Sequence, residues 1–125
     1  MNYEKVVKDI VLPIVEDKEQ LMVKMMPTDN ENDLVIMVMA KSSDIARLIG
    51  KNGTVANSIR EVVNVAGKIN NQHLHVKFEA FSEEDIERIV ENTIEKIKPE
   101  QLQEFTQKFG SIEGFSSALK EELTD

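Results

Sequence analysis

The chain has 125 residues, 41% hydrophobic and 30% charged, with no cysteine, so one domain can bury about two-thirds of the unfolded surface without metal or disulfide. The missing thiols exclude a disulfide framework, a thiolate nucleophile and a cysteine-based zinc finger. The formal net charge of −8 argues against a polyanionic partner until its distribution is read: residues before Phe81 carry 10 Lys plus Arg against 11 Asp plus Glu, those from Phe81 onward 5 against 12, and Lys41 to Lys77 6 against 2. The acidity belongs to the tail, and a basic island precedes it.

Tyr3, Val6, Val7, Ile10, Val11 and Ile14 recur at helical steps, one face of an amphipathic helix. Pro13 lacks an N–H and ends that helix near Val11 or Leu12. Charges interrupt the apolar residues of MNYEKVVKDIVLPIVEDKEQ, which therefore lacks the unbroken run of a signal peptide or membrane span. A soluble, cytoplasmic protein with no membrane insertion is predicted. Leu21 to Met26 and Leu34 to Ala40 read as the strands of a hairpin, joined by the turn-forming run Pro27 to Asn32. LVIMVMA is apolar on both faces and predicts the more buried strand, with the methionines packed in the core rather than holding a metal.

Ser42 or Ser43 caps a short helix through Leu48 or Ile49, with Asp44 as an N-terminal charge, and Thr54 caps a longer helix. Val55, Ile59, Val62, Val63 and Ala66 mark the longer helix's buried face; Gly67 and Asn70-Asn71-Gln72 end it. In HLHVKFE, Leu74, Val76 and Phe78 alternate with His73, His75, Lys77 and Glu79, the period of a half-exposed strand that completes a three-stranded sheet. His73 and His75 share a face, but with no third ligand nearby they read as solvated. From Phe81 an acidic helical extension begins: Ser82 with Asp85 resembles a capping box, Phe81 staples to Ile86, Pro99 opens another helix, and Gly110 precedes a last segment with Ile112, Phe115, Leu119 and Leu123. The predicted division is residues 1–81 and 82–125.

Gly50-Lys51-Asn52-Gly53 breaks the two central helices apart. A tight helix–helix turn explains two glycines by backbone freedom alone. A nucleoside-triphosphate loop is excluded, since it needs GxxxxGK after a strand, and so is a dinucleotide fingerprint, which needs a third glycine. A nucleic-acid clamp remains: the glycines admit a phosphodiester backbone, the following helix offers N–H groups and partial positive charge, Lys51 adds a cation and Asn52 a neutral donor. No Ser-His-Asp set, thiol or metal-ligand spacing appears, so no catalysis, cofactor or small-molecule substrate is predicted.

The order helix, strand, strand, helix, GKNG, helix, strand resembles the bacterial (type II) KH domain, an α+β fold with helices on one face of a three-stranded sheet and a loop that clamps about four nucleotides. IVLPIVEDKEQLMVKMM together with DIARLIGKNGTVANSIREVV is similar to the KhpA-like family of small bacterial KH proteins, over about Val6 to Phe81. The resemblance implies single-stranded RNA binding as a chaperone or post-transcriptional regulator. It also implies a homodimer or a heterodimer with a Jag-like (KhpB) KH protein, and a link to cell division and envelope growth. Gly50, Lys51, Asn52 and Gly53 match its clamp, while Ile49, Ala56 and Ile59 match apolar positions lining a groove under the bases, with core packing as the alternative. Arg47 and Arg60 of the basic island and Thr54 complete the RNA-binding set. Thr54 stands where relatives often carry a basic residue, and residues from Ser82 onward have no family counterpart. The competing expectation is an interaction or dimerisation module that keeps the KH fold, binds another protein or a second copy through the acidic tail and its apolar stripes, and retains only residual RNA binding.

Overall fold

A computed structural model describes residues 2–124. The chain divides into two compact units, Met1–Ala80 and Phe81–Asp125. The first holds α1 (Tyr3–Val11), β1 (Met22–Pro27), β2 (Asp33–Ala40), α2 (Ser42–Ile49), α3 (Thr54–Ile69) and β3 (His73–Ala80). α1 starts where the Asn2 side chain accepts the Lys5 amide at 3.1 Å and ends at the residues that Pro13 disallows.

β1 and β2 form the antiparallel hairpin, Met22 opposite Met39 through Pro27 opposite Leu34. β3 joins β2 in parallel, Asp33 opposite His73 through Ala40 opposite Ala80, so β2 is the central strand. Its alternation sends Ile36, Val38 and Ala40 into the core, where they meet Val7 and Val11 of α1, Ile45 and Leu48 of α2, and Ile59 and Val63 of α3. Val35, Met37 and Met39 point the other way and are only half-buried. This corrects the expectation of methionine in the core: none of the strand methionines is buried, and Met22 is 47% exposed, because helices supply apolar partners to one face of the sheet only.

α3 departs from its predicted face in the same way. Ala56, Ile59, Val63 and Gly67 are its buried residues, whereas Val62 is 58% exposed, since it lies about 100° around the helix from Val63. Gly67 does not end α3. A Cβ there would fall on the Gln72 carbonyl and on Leu74, so its role is to let the start of β3 approach the helix. Asn64 fastens the same approach, its side-chain oxygen accepting the Leu74 amide at 3.1 Å. The Tyr3 hydroxyl donates to Gln72 Oε1 at 2.6 Å and accepts from Asn70 Nδ2 at 2.9 Å, which ties α1 to the α3–β3 turn.

The second unit consists of α4 (Glu83–Glu95), α5 (Pro99–Phe109) and α6 (Ile112–Thr124). Ser82 and Asp85 form the reciprocal capping box at the start of α4, and Pro99 opens α5. Phe81, Ile86, Val90, Leu119 and Leu123 are buried. Phe115 packs between α5 and α6 with its ring 4.8 Å from Phe105 and 5.2 Å from Phe109.

Asp44 is the one buried charged side chain among the described residues. The sequence placed it as a helix N-terminal charge, and it lies in the first turn of α2; buried there, its carboxylate accepts the amides of Glu16 and Asp17 at 2.8 and 3.0 Å and the Arg47 guanidinium at 2.9 Å. It thereby holds the segment after α1 against α2. Burial pushes its pKa up, but these donors together with Lys41 outweigh that and leave it below the usual 3.8. A depressed native pKa contributes stability above the unfolded value and loses it as pH falls through the native one. Asp44→Asn should lower stability by about 2–3 kcal/mol at pH 7 in urea unfolding, and the gap to the native chain should narrow as pH drops below about 3.8.

Candidate nucleic-acid interface

α2 stops at Gly50, which adopts φ 72°, ψ 178° while its amide still reaches the Ala46 carbonyl at 3.0 Å. Lys51 to Gly53 form one tight 3-10 turn, closed by the Gly53 amide on the Gly50 carbonyl at 3.2 Å. Asn52 (φ 57°) and Gly53 (φ 76°) then occupy the left-handed region in succession, tolerated by glycine and asparagine and disfavoured elsewhere. The two glycines meet different constraints. A Cβ on Gly50 would come within 3.0 Å of the Val55 amide nitrogen and overlap the Val55 side chain, whereas at Gly53 the nearest atom is Asn57 Nδ2 at 4.0 Å. Gly50 is required by packing as well as angle; Gly53 faces open space.

The helix starts differ from expectation. Gly53, not Thr54, holds the cap position of α3 and leaves it without a side-chain cap. The Thr54 hydroxyl bonds backward to the Lys51 carbonyl at 2.9 Å and braces the turn. α2 begins after Lys41, with Ser42 already helical and no side-chain cap bond. The Thr54 amide donates to the Lys51 carbonyl, and with no side-chain cap the α3 N-terminus directs its partial positive charge past Gly53. Lys51 and Asn52 flank that end, and both are exposed.

The remaining candidates separate. Ile49, at 40% exposure, is an apolar surface beside the loop, while Ala56 and Ile59, at 2% and 4%, are buried and serve the packing of α3. Arg47 is drawn into structure: it pairs with Glu16 at 2.8 Å and with Asp44 at 2.9 Å. Arg60 points from α3 toward β3, its Nε donating to the Val76 carbonyl at 3.1 Å and its guanidinium lying 5.5 Å from the centre of the Phe78 ring. Phe78 was missed as a site residue because no aromatic lies between Lys41 and Lys77; running α3 antiparallel against β3, with Asn64 at Leu74, would have placed Arg60 near it. His75 sits 3.6 Å from Asp33 across the sheet. Among the described residues no group of three or more His, Asp or Glu is placed to hold a metal, and no helix is long and apolar enough to cross a membrane.

The unequal glycines give a direct check. Gly53→Ala should cost about 1–2 kcal/mol, the left-handed penalty alone, while Gly50→Ala should cost clearly more in thermal or urea unfolding because overlap with Val55 adds about 1–3 kcal/mol.

Residues 4–78 match the family model described as the KH domain of KhpA/KhpB. Proteins of Listeria monocytogenes and Listeria innocua named RNA-binding protein KhpA are 27% identical to the chain over 74 residues, covering 59% of it and 95% of each relative. No solved structure gives a significant match. The family match spans more than half of the residues and runs from α1 into β3 with GKNG between, and on that ground the chain belongs to the KhpA/KhpB KH-domain family.

Proposed function

We propose that this chain is a non-catalytic, single-stranded RNA-binding protein that clamps the RNA backbone with Gly50-Lys51-Asn52-Gly53. The observation that carries this reading is the loop itself: three of its four residues have positive φ, Lys51 and Asn52 are exposed, and the α3 N-terminus behind them has no side-chain cap. Such a surface offers backbone amides, one cation and one neutral donor to a phosphodiester chain and leaves the Gly53 side clear. The relatives named RNA-binding protein KhpA support it. The role is that of a cytoplasmic RNA chaperone or post-transcriptional regulator, linked to cell division and envelope growth.

A second reading, assembly as a dimer, is favoured by Val62, Val65 and Ile69 on α3, which are 58%, 61% and 72% exposed. An exposed apolar stripe in addition to the buried face of α3 fits a second copy or a Jag-like KH protein. The proposed RNA site and this stripe occupy different positions of α3, so the two readings are compatible in one chain.

Lys51→Asp with Asn52→Asp should abolish binding of a single-stranded oligonucleotide while circular dichroism stays native, and the native chain's affinity should fall with salt at a logarithmic slope of about −1.5 to −3, from two to four phosphate contacts. Equal binding by native and variant chains would leave GKNG as a turn only. Val62→Asp with Val65→Asp should convert a native dimer to a monomer in light scattering; a native chain that is already monomeric at high micromolar concentration removes the dimer reading.

A further inference from the structure

Beyond the loop, α3 carries a polar track at Gly53, Asn57 and Arg60, positions i, i+4 and i+7 of one helix face. Asn57 lies beside Gly53. Its side-chain oxygen accepts from Arg60 Nη1 at 3.4 Å, Arg60 Nε is held by the Val76 carbonyl at 3.1 Å, and the guanidinium lies over Phe78. β3 is an edge strand, with β2 on one side and, among the described residues, no strand on the other. The track therefore leads from the loop toward the β3 edge of the sheet, over about 10 Å of helix.

Arg60 is exposed, yet it is anchored at its Nε and at one terminal nitrogen. A guanidinium has five N–H donors in a rigid plane, so donors remain for a ligand. Its setting differs from that of Lys51. Lys51 stands exposed in the loop, suited to phosphate at the rim; Arg60 is held to a backbone carbonyl and an aromatic ring. A guanidinium's two-donor fork matches a planar pair of acceptors, which among the bases is the O6 and N7 edge of guanine.

We propose that Arg60, positioned by Asn57, Val76 and Phe78, is a specificity-determining residue that reads a guanine next to the nucleotides held by GKNG; this rests on the RNA-binding reading above. The preference would come from the fork and the ring together, since neither charge nor stacking alone distinguishes bases.

The test is the affinity ratio between an oligo(U) octamer and the same octamer carrying one central guanine, read by fluorescence anisotropy for the native chain, Arg60→Met and Arg60→Lys. The native chain should prefer the guanine octamer roughly ten-fold. Arg60→Met should bring the ratio near one, Arg60→Lys should lower it, and 7-deazaguanine, which lacks N7, should weaken binding to the native chain alone. The ratio is insensitive to a uniform loss of affinity, and if Arg60→Met melts early the Arg60→Lys ratio decides. A native ratio of one, or an unchanged ratio in the variants, overturns the assignment while leaving the clamp intact. Binding of neither octamer by the native chain overturns the RNA-binding reading with it.

Discussion

The first unit depends on one pairing, that of β2 with β3 in parallel. Two parallel neighbours cannot be joined by a tight turn, so the chain between Ala40 and His73 must leave the sheet, travel back and re-enter at the starting end. α2 and α3 are that crossover, and their apolar sides supply the cover that the central strand needs on one face. The break between the two helices is then the point farthest along the excursion from the hairpin turn. GKNG sits at that break, so the geometry that builds the core also presents the loop to solvent with a fresh helix N-terminus behind it.

The positive charge around the loop does not act as a uniform patch. Arg47 is paired with Glu16 and Asp44, and Asp44 in turn fixes the segment after α1, so that arginine is committed to positioning α2. Arg60 is anchored to β3. Lys51 stands exposed in the loop itself. A local excess of cations thus divides into one braced near the carboxylate that orients α2, one laid along the sheet edge, and one in the exposed loop.

The acidic second unit is organised by different means. Its helix starts are set by local chemistry, the Ser82–Asp85 box and Pro99, and its interior is a short list of aliphatic residues with a three-ring phenylalanine cluster. Local signals of this kind survive without long-range partners, which is why this half of the chain could be laid out in helices from its caps and breakers.

Element identity, the hairpin, the end of α1 at Pro13, the alternation of β3 and the position of the GKNG break were all legible in the order of residues, because each rests on periodicity or on backbone chemistry within a few positions. Depth was not legible. Val62 and Val63 are equally apolar, and only the direction from which the sheet meets α3 buries one and exposes the other. Asp44 reads as an ordinary helix-start carboxylate until the chain returns Glu16 and Asp17 to it from 28 and 27 residues away. Gly67 reads as a helix end until β3 is seen to press against it. Phe78 lies outside the basic island by sequence, and the antiparallel passage of α3 over β3 brings it under Arg60. The residues alone determined the elements and the loop; packing decided which side chains reach that loop, since contact between distant segments depends on how helices and sheet close on one another, and no local pattern encodes it.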